Sequence, residues 1–126
     1  MTTYTVKQLS DKYNISVHTI RFYDDQGLFP DVIRDSHRTR LFTEDHLDWV
    51  NLVLCLRNTG MSIADTKHFI ELCKKGDSSI PERYQIILEQ KKKAEGDLKE
   101  MQKRLDVLCH KEKCYEDMLA KGACNS

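Results

Sequence analysis

The last third of the chain carries a long heptad run, and this restricts the fold more than any other feature. Tyr84, Ile87, Lys91, Ala94, Leu98, Met101, Leu105, Leu108, Glu112, Tyr115 and Leu119 follow one another at strictly alternating spacings of three and four. All but Lys91 and Glu112 can bury apolar surface, and Gly96 is the one internal weak point between Pro81 and Leu119. Sustained heptads of this kind indicate a coiled coil. A helix of about 40 residues would run about 60 Å at 1.5 Å per residue. The alternative is a helix folded back on its own domain. It would overhang a domain of ~80 residues and leave its seam bare. Association of two copies is the better account, with Tyr84, Ile87, Ala94, Leu98, Met101, Leu105, Leu108, Tyr115 and Leu119 as candidate dimerisation residues.

A chain of 126 residues has room for one compact domain beside such a helix, not for two full cores. We therefore divide it into a compact region at 1–76 and a dimerisation helix with a short tail at 77–126. No apolar run approaches the ~20 residues that span a bilayer, and the N-terminus has no apolar signal region. A cytoplasmic protein without a membrane partner is expected. Cys55, Cys73, Cys109, Cys114 and Cys124 make an odd set scattered over helices and tail, unlike a disulfide framework. Reduced thiols fit better.

The compact region opens with Thr5-Val-Lys-Gln8, a capping-box pattern that starts a helix with Val6, Leu9 and Tyr13 inward. Asn14 breaks it, Ile15 plugs the turn, and Ser16 caps a second helix from Val17 that stops at Gly27. Two short helices joined by a three-residue turn make a helix-turn-helix. Between Pro30 and Phe42, the apolar pairs Val32-Ile33 and Leu41-Phe42 enclose Arg34-Asp-Ser-His-Arg-Thr-Arg40. This reads as a two-stranded wing with a basic tip. A third helix runs from the Thr43-Glu-Asp cap to Gly60. A fourth runs from Ser62-Ile-Ala-Asp65 to Gly76, with Ile63, Phe69, Ile70 and Cys73 on one face. The fold class is thus mainly α: a winged helix-turn-helix followed by a long dimerisation helix.

Charge does not advertise a nucleic-acid partner. Lys plus Arg equals Asp plus Glu at 20 each, whereas a nucleic-acid binder usually has a basic excess. Any DNA contact must come from placement, since only charges near the phosphates release counterions. The second helix puts His18, Thr19, Arg21, Phe22 and Tyr23 on its outer faces, with Val17 and Ile20 inward. His18 and Thr19 lie in its first turn, the part of a recognition helix that meets base edges. Arg21 and Tyr23 have the reach to clasp phosphate oxygens. Arg34, Arg38 and Arg40 form the dense basic cluster of the wing. The candidate DNA-contacting set is Thr5, Ser16, Val17, His18, Thr19, Arg21, Phe22, Tyr23, Arg34, Arg38 and Arg40. A solvated surface helix beside a basic loop is the plain alternative.

Several blocks in order carry a family resemblance. They are Tyr4-Thr-Val-Lys-Gln-Leu9, Ile15-Ser-Val-His-Thr-Ile-Arg-Phe-Tyr-Asp24, Gly27-Leu-Phe-Pro30, Arg40-Leu-Phe42 and Leu56-Arg-Asn-Thr-Gly-Met-Ser62. Together they resemble MerR-family transcriptional regulators. The resemblance implies an antiparallel coiled-coil homodimer on a palindromic promoter, distorting the spacer so that RNA polymerase engages. It places Ser16, Val17, His18, Arg21 and Tyr23 at recognition-helix contacts and Arg40 at a wing arginine. One departure stands out. The family usually has Asn-Gly-Tyr-Arg in the wing, where this chain has His37-Arg-Thr-Arg40 and no glycine for a positive-φ turn.

The same resemblance frames the trigger. Val53-Leu-Cys-Leu-Arg57 resembles the thiol-dependent branch of the family, which responds to aldehydes and nitrosative stress through one cysteine at this place. Cys55 has Asp48, Asn51, Asn58 and Thr59 as helical neighbours, so it lies on a polar stripe. No cation that would favour a thiolate shares that face; a structural thiol is the competing reading. Metal sensing through Cys109, His110, Cys114 or Cys124 is a further alternative, but Ser78-Ser79 stand where a soft ligand belongs and the cysteine spacing is unlike a metal loop. Cys73 reads as core packing. No cofactor is implied. Without a phosphate loop, a zinc helix or a nucleophile elbow, the sequence does not describe an enzyme. A coiled-coil scaffold that does not bind DNA is the remaining rival.

Overall fold

The computed structural model describes residues 2–122. In chain order they form β1 (Thr3–Tyr4), α1 (Val6–Tyr13), α2 (Val17–Asp25), β2 (Ile33–Arg34), β3 (Arg40–Thr43), α3 (Glu44–Asn58), α4 (Ile63–Lys75), a 3-10 turn (Asp77–Ser79) and α5 (Ile80–Lys121). The chain divides into two compact units, Met1–Ile87 and Leu88–Ser126. No helix among the described residues is long and apolar enough to cross a membrane.

The caps read from the sequence form as expected. Gln8 N–H donates to Thr5 Oγ1 at 3.1 Å, and Thr5 N–H donates to Gln8 Oε1 at 2.8 Å. Two of the donors at the start of α1 are thereby satisfied. Asn14 ends α1 in the left-handed region at φ 55°, and Ser16 Oγ accepts Thr19 N–H at 3.0 Å to begin α2. Ser62 accepts Asp65 N–H at 3.1 Å to begin α4, which ends at Gly76 with φ 86°.

The two-stranded wing forms as β2 and β3, and the sheet gains a third strand that was not expected. β1 pairs antiparallel with β3, Thr3 opposite Thr43 and Tyr4 opposite Phe42, giving the three-stranded order β1-β3-β2. Two residues ahead of α1 are too few to show period-two alternation, so this strand leaves no mark in the sequence. Val32 stays outside β2, which pairs Ile33 with Leu41 and Arg34 with Arg40.

One core gathers Val6 and Leu9 from α1, Ile20 and Tyr23 from α2, Leu28 and Phe29 from the following turn, Phe42 from β3, Val50 and Val53 from α3, and Ile70 from α4. Tyr23, Phe29, Phe42 and His46 stack edge to face in succession, at 6.5, 5.7 and 5.8 Å between centroids. His46 is a buried polar ring with both nitrogens engaged. Its Nδ1 accepts Thr43 N–H at 2.9 Å, so Nε2–H donates to the Pro30 carbonyl at 2.7 Å. That single side chain ties the entry of the wing to its exit. A smaller cluster of Leu56, Met61 and Phe69, joined by Cys73 and Ile86, packs the end of α3 on α4.

In the second unit, α5 continues unbroken through Gly96. Its seam residues Leu98, Met101, Leu105, Leu108, Tyr115 and Leu119 are all exposed.

Candidate nucleic-acid interface

α2, α1 and the wing converge on one cavity of about 430 Å³. Thr5 to Lys7 line it from the start of α1, Arg21 from α2, and Arg34, Arg38, Thr39 and Arg40 from the wing. Five cations face this space, and no carboxylate lines it among the described residues. The amides of Val6 and Lys7 fall in the first turn of α1, where the helix supplies no acceptor. Cations and free helical N–H groups together favour an oxyanion such as a phosphate.

The outer face of α2 meets the same surface. His18, Arg21 and Phe22 are exposed; Thr19 is half-buried, its hydroxyl 2.8 Å from that of Ser16. Val17 is half-buried against the core. Tyr23 does not join the outward set. It is only 9 % exposed and packs into the core against Phe29, with the Arg57 guanidinium 5.9 Å over its ring. Its position follows from helical period: residue 23 lies three beyond Ile20 and shares its inward stripe.

The wing arginines are not free either. Arg40 Nε lies 3.1 Å from Asp24 Oδ2, and its Nη2 donates to Asp25 Oδ1 at 2.6 Å. Arg34 Nη2 lies 4.0 Å from the same Asp24 oxygen. Only 14 % of the Arg40 side chain is exposed, and its buried Nη1 has no partner. Burial raises the Asp24 carboxyl above its ordinary value, while Arg40 and Arg34 pull it back down. The sequence alone assigns Asp24 and Asp25 no role. An acidic pair ending a helix that faces three arginines is a visible signal, but which arginine it meets depends on the fold.

The wing turn keeps its shape without glycine. Arg38 takes the left-handed conformation at φ 64°. Asp35 compensates, its Oδ1 accepting the N–H groups of His37 and Thr39 at 2.9 Å each. Arg34 Nη1 closes the turn by donating to the Arg38 carbonyl at 3.1 Å.

The remaining candidates lie elsewhere. Cys55 is an exposed free thiol on α3. Cys73 is half-buried, with Arg83 Nη1 3.8 Å from its sulfur. His110 Nε2 and Cys114 Sγ sit 3.6 Å apart on successive turns of α5, whereas Cys109 is exposed. Cys124 lies outside the described residues. No group of three or more His, Cys, Asp or Glu side chains suited to a metal occurs among the described residues.

Comparison with known proteins accords with this geometry. Residues 4–72 match the MerR HTH family regulatory protein profile. A Haemophilus influenzae protein described as an uncharacterised HTH-type transcriptional regulator is 40% identical over 121 residues, which cover 96% of this chain and 90% of that protein. The HTH-type transcriptional regulator AdhR of Bacillus subtilis is 26% identical over 70% of this chain and 63% of its own length. Among solved structures, HiNmlR, a MerR family regulator lacking the sensor domain and bound to promoter DNA, superposes with a TM-score of 0.78. Its identity is 40%, with 97% of each chain covered. A Listeria monocytogenes MerR-family regulator superposes at 0.80 with 27% identity, covering 94% of this chain and 90% of that one.

Proposed function

The chain belongs to the MerR family of DNA-binding transcriptional regulators, and from that premise we propose that it binds a palindromic promoter as a two-fold dimer through the cation-lined cavity. That cavity is the observation that carries the reading: five cations and a helix N-terminus converge beside the exposed first turn of α2. HiNmlR, its 40%-identical neighbour, is itself bound to promoter DNA. Thr5, Arg21, Arg34 and Arg38 would fix the register on phosphates, and Ser16, His18, Thr19 and Phe22 would face base edges. The exposed seam of α5 would join two readers at a fixed separation, with RNA polymerase engaging once the spacer is bent.

Titrating a labelled duplex against salt tests the reading. Lys7, Arg21, Arg34 and Arg38 from two readers make roughly eight phosphate contacts, for a slope of roughly −7 in log K against log salt at −0.9 per contact. A slope near zero, or equal affinity for every duplex, would leave a coiled-coil scaffold as the answer.

Response to electrophiles through Cys55 completes the proposal. The exposed thiol is open to a small aldehyde or nitrosothiol, and its place in α3 supports the likeness to the thiol-dependent branch. Promoter output in a Cys55→Ser variant treated with formaldehyde, methylglyoxal or a nitrosothiol should lose its induction. An unchanged response would rule the cysteine out as sensor.

A further inference from the structure

Two carboxylates stand directly behind the wing arginines of the cation-lined cavity. On electrostatics alone they weaken attraction to a phosphate backbone, so their presence calls for a reason. Arg34 and Arg40 are direct cross-strand partners in the β2–β3 ladder. Like charges placed opposite each other destabilise such a pair. Asp24 answers this, lying within reach of both guanidinium groups at 4.0 and 3.1 Å. Asp25 then takes the outer Nη2 of Arg40 at 2.6 Å. Both acids are the last residues of α2, so the ion pairs join the recognition helix directly to the wing.

We propose that Asp24 and Asp25 are positioning residues of the DNA interface: they turn Arg40 into a brace between recognition helix and wing, and so set sequence selectivity more than affinity.

The geometry separates two kinds of arginine that look alike in the sequence. Arg21 and Arg38 are exposed and form no ion pair among the described residues, which suits them to meeting phosphates. Arg40 spends its Nε and Nη2 on carboxylates inside the protein, and its Nη1 is buried. A guanidinium grips two carboxylates along different edges in a fixed geometry because its donors form a rigid fork; a lysine ammonium has no such fork. Selectivity follows from rigidity. A reader whose helix and wing hold a fixed angle fits one groove geometry well, and a loose one fits many poorly. The raised Asp24 carboxyl agrees with a group held for position at some cost to stability.

This inference rests on the DNA-binding reading. The test uses the full-length chain, a duplex selected by it from a random pool, and a scrambled duplex of the same composition. Asp24→Asn should lower the ratio of selected to scrambled affinity about thirtyfold, the low end of the cost of breaking a buried charge pair. Asp24→Glu should recover part of that ratio, and Arg40→Lys should lose it despite its retained charge. Asp25 is 60 % exposed, so Asp25→Asn should fold normally. It should tighten scrambled DNA about threefold, the scale of an exposed charge. Without DNA, hydrogen exchange at the Asp35 amide, which bonds the Thr39 carbonyl across the wing at 3.0 Å, should quicken about tenfold in Asp24→Asn. An unchanged ratio in Asp24→Asn, or an equal loss on both duplexes, would overturn the proposal. So would unchanged exchange, and this readout holds even if the wild-type chain selects no sequence and the DNA-binding reading itself fails.

Discussion

Arg38→Gly separates the conformational role of the wing tip from its electrostatic one. Arg38 sits at φ 64°, where an L residue pays about 1–2 kcal/mol. Glycine removes that strain but brings an unfolded chain with roughly 0.5–1 kcal/mol more entropy to lose. The two Asp35 bonds to His37 and Thr39 involve backbone donors and survive the change. The difference favours the variant by roughly 0.5–1 kcal/mol. For a unit of this size, that raises the unfolding midpoint by roughly 2–8 °C. Trp49, the sole tryptophan and a residue of α3, reports the unfolding directly. DNA affinity should move the other way, because each reader loses one cavity cation. Two lost contacts flatten the salt slope by about 1.8 per dimer. A lower midpoint would refute the strain argument, and an unchanged slope would show that Arg38 meets no phosphate.

Three further outcomes follow from other parts of the molecule. His46→Ala leaves the Thr43 N–H and the Pro30 carbonyl without their partner. At about 1–3 kcal/mol for each of the two buried groups left unpaired, the reader should lose roughly 2–6 kcal/mol in urea unfolding; a loss under about 0.5 kcal/mol would deny the ring its role. Asp24 has a folded value raised above 3.8, so its stabilising contribution is present at low pH and lost as pH rises through that folded value. Relative to wild type, Asp24→Asn should therefore gain stability as pH climbs out of the acid range, and a gap constant with pH would contradict the shift. The seam from Tyr84 to Leu119 has Met101 beside its midpoint, so an antiparallel two-fold places Met101 against its own copy. In a background without the native cysteines, Met101→Cys should oxidise to a linked dimer and Ile87→Cys should not; linkage at both would mean a parallel coil.

Features governed by short-range rules were legible in the sequence. Thr5, Ser16 and Ser62 cap the helices that follow them, as the sequence indicates, because a hydroxyl three residues ahead of a free amide acts locally. The long helix was legible for the same reason, as a period sustained over many turns. Failures began where distance along the chain stopped measuring distance in space. β1 is two residues long and exists because β3, some 40 positions later, offers it a free edge. Tyr23 has donors and sits in the recognition helix, yet its ring was needed between Phe29 and the rest of the core. Arg40 reads as a phosphate ligand until Asp24 and Asp25 are seen beside it.

The neutral composition takes on a different meaning at this point. A reader with only cations in its interface gains affinity for any duplex, since the phosphate term carries no sequence information. Genomic DNA then becomes the main competitor, and what matters is the ratio of specific to non-specific binding. Placing acids behind the wing arginines removes part of the indiscriminate attraction while fixing the angle between helix and wing. The charge that cancels in the composition is thus segregated in the structure: Lys7, Arg21, Arg34 and Arg38 line the cavity, and Asp24 and Asp25 hold the frame behind it. Net charge predicts solubility and non-specific attraction. It says little about a reader whose selectivity depends on where each charge is held.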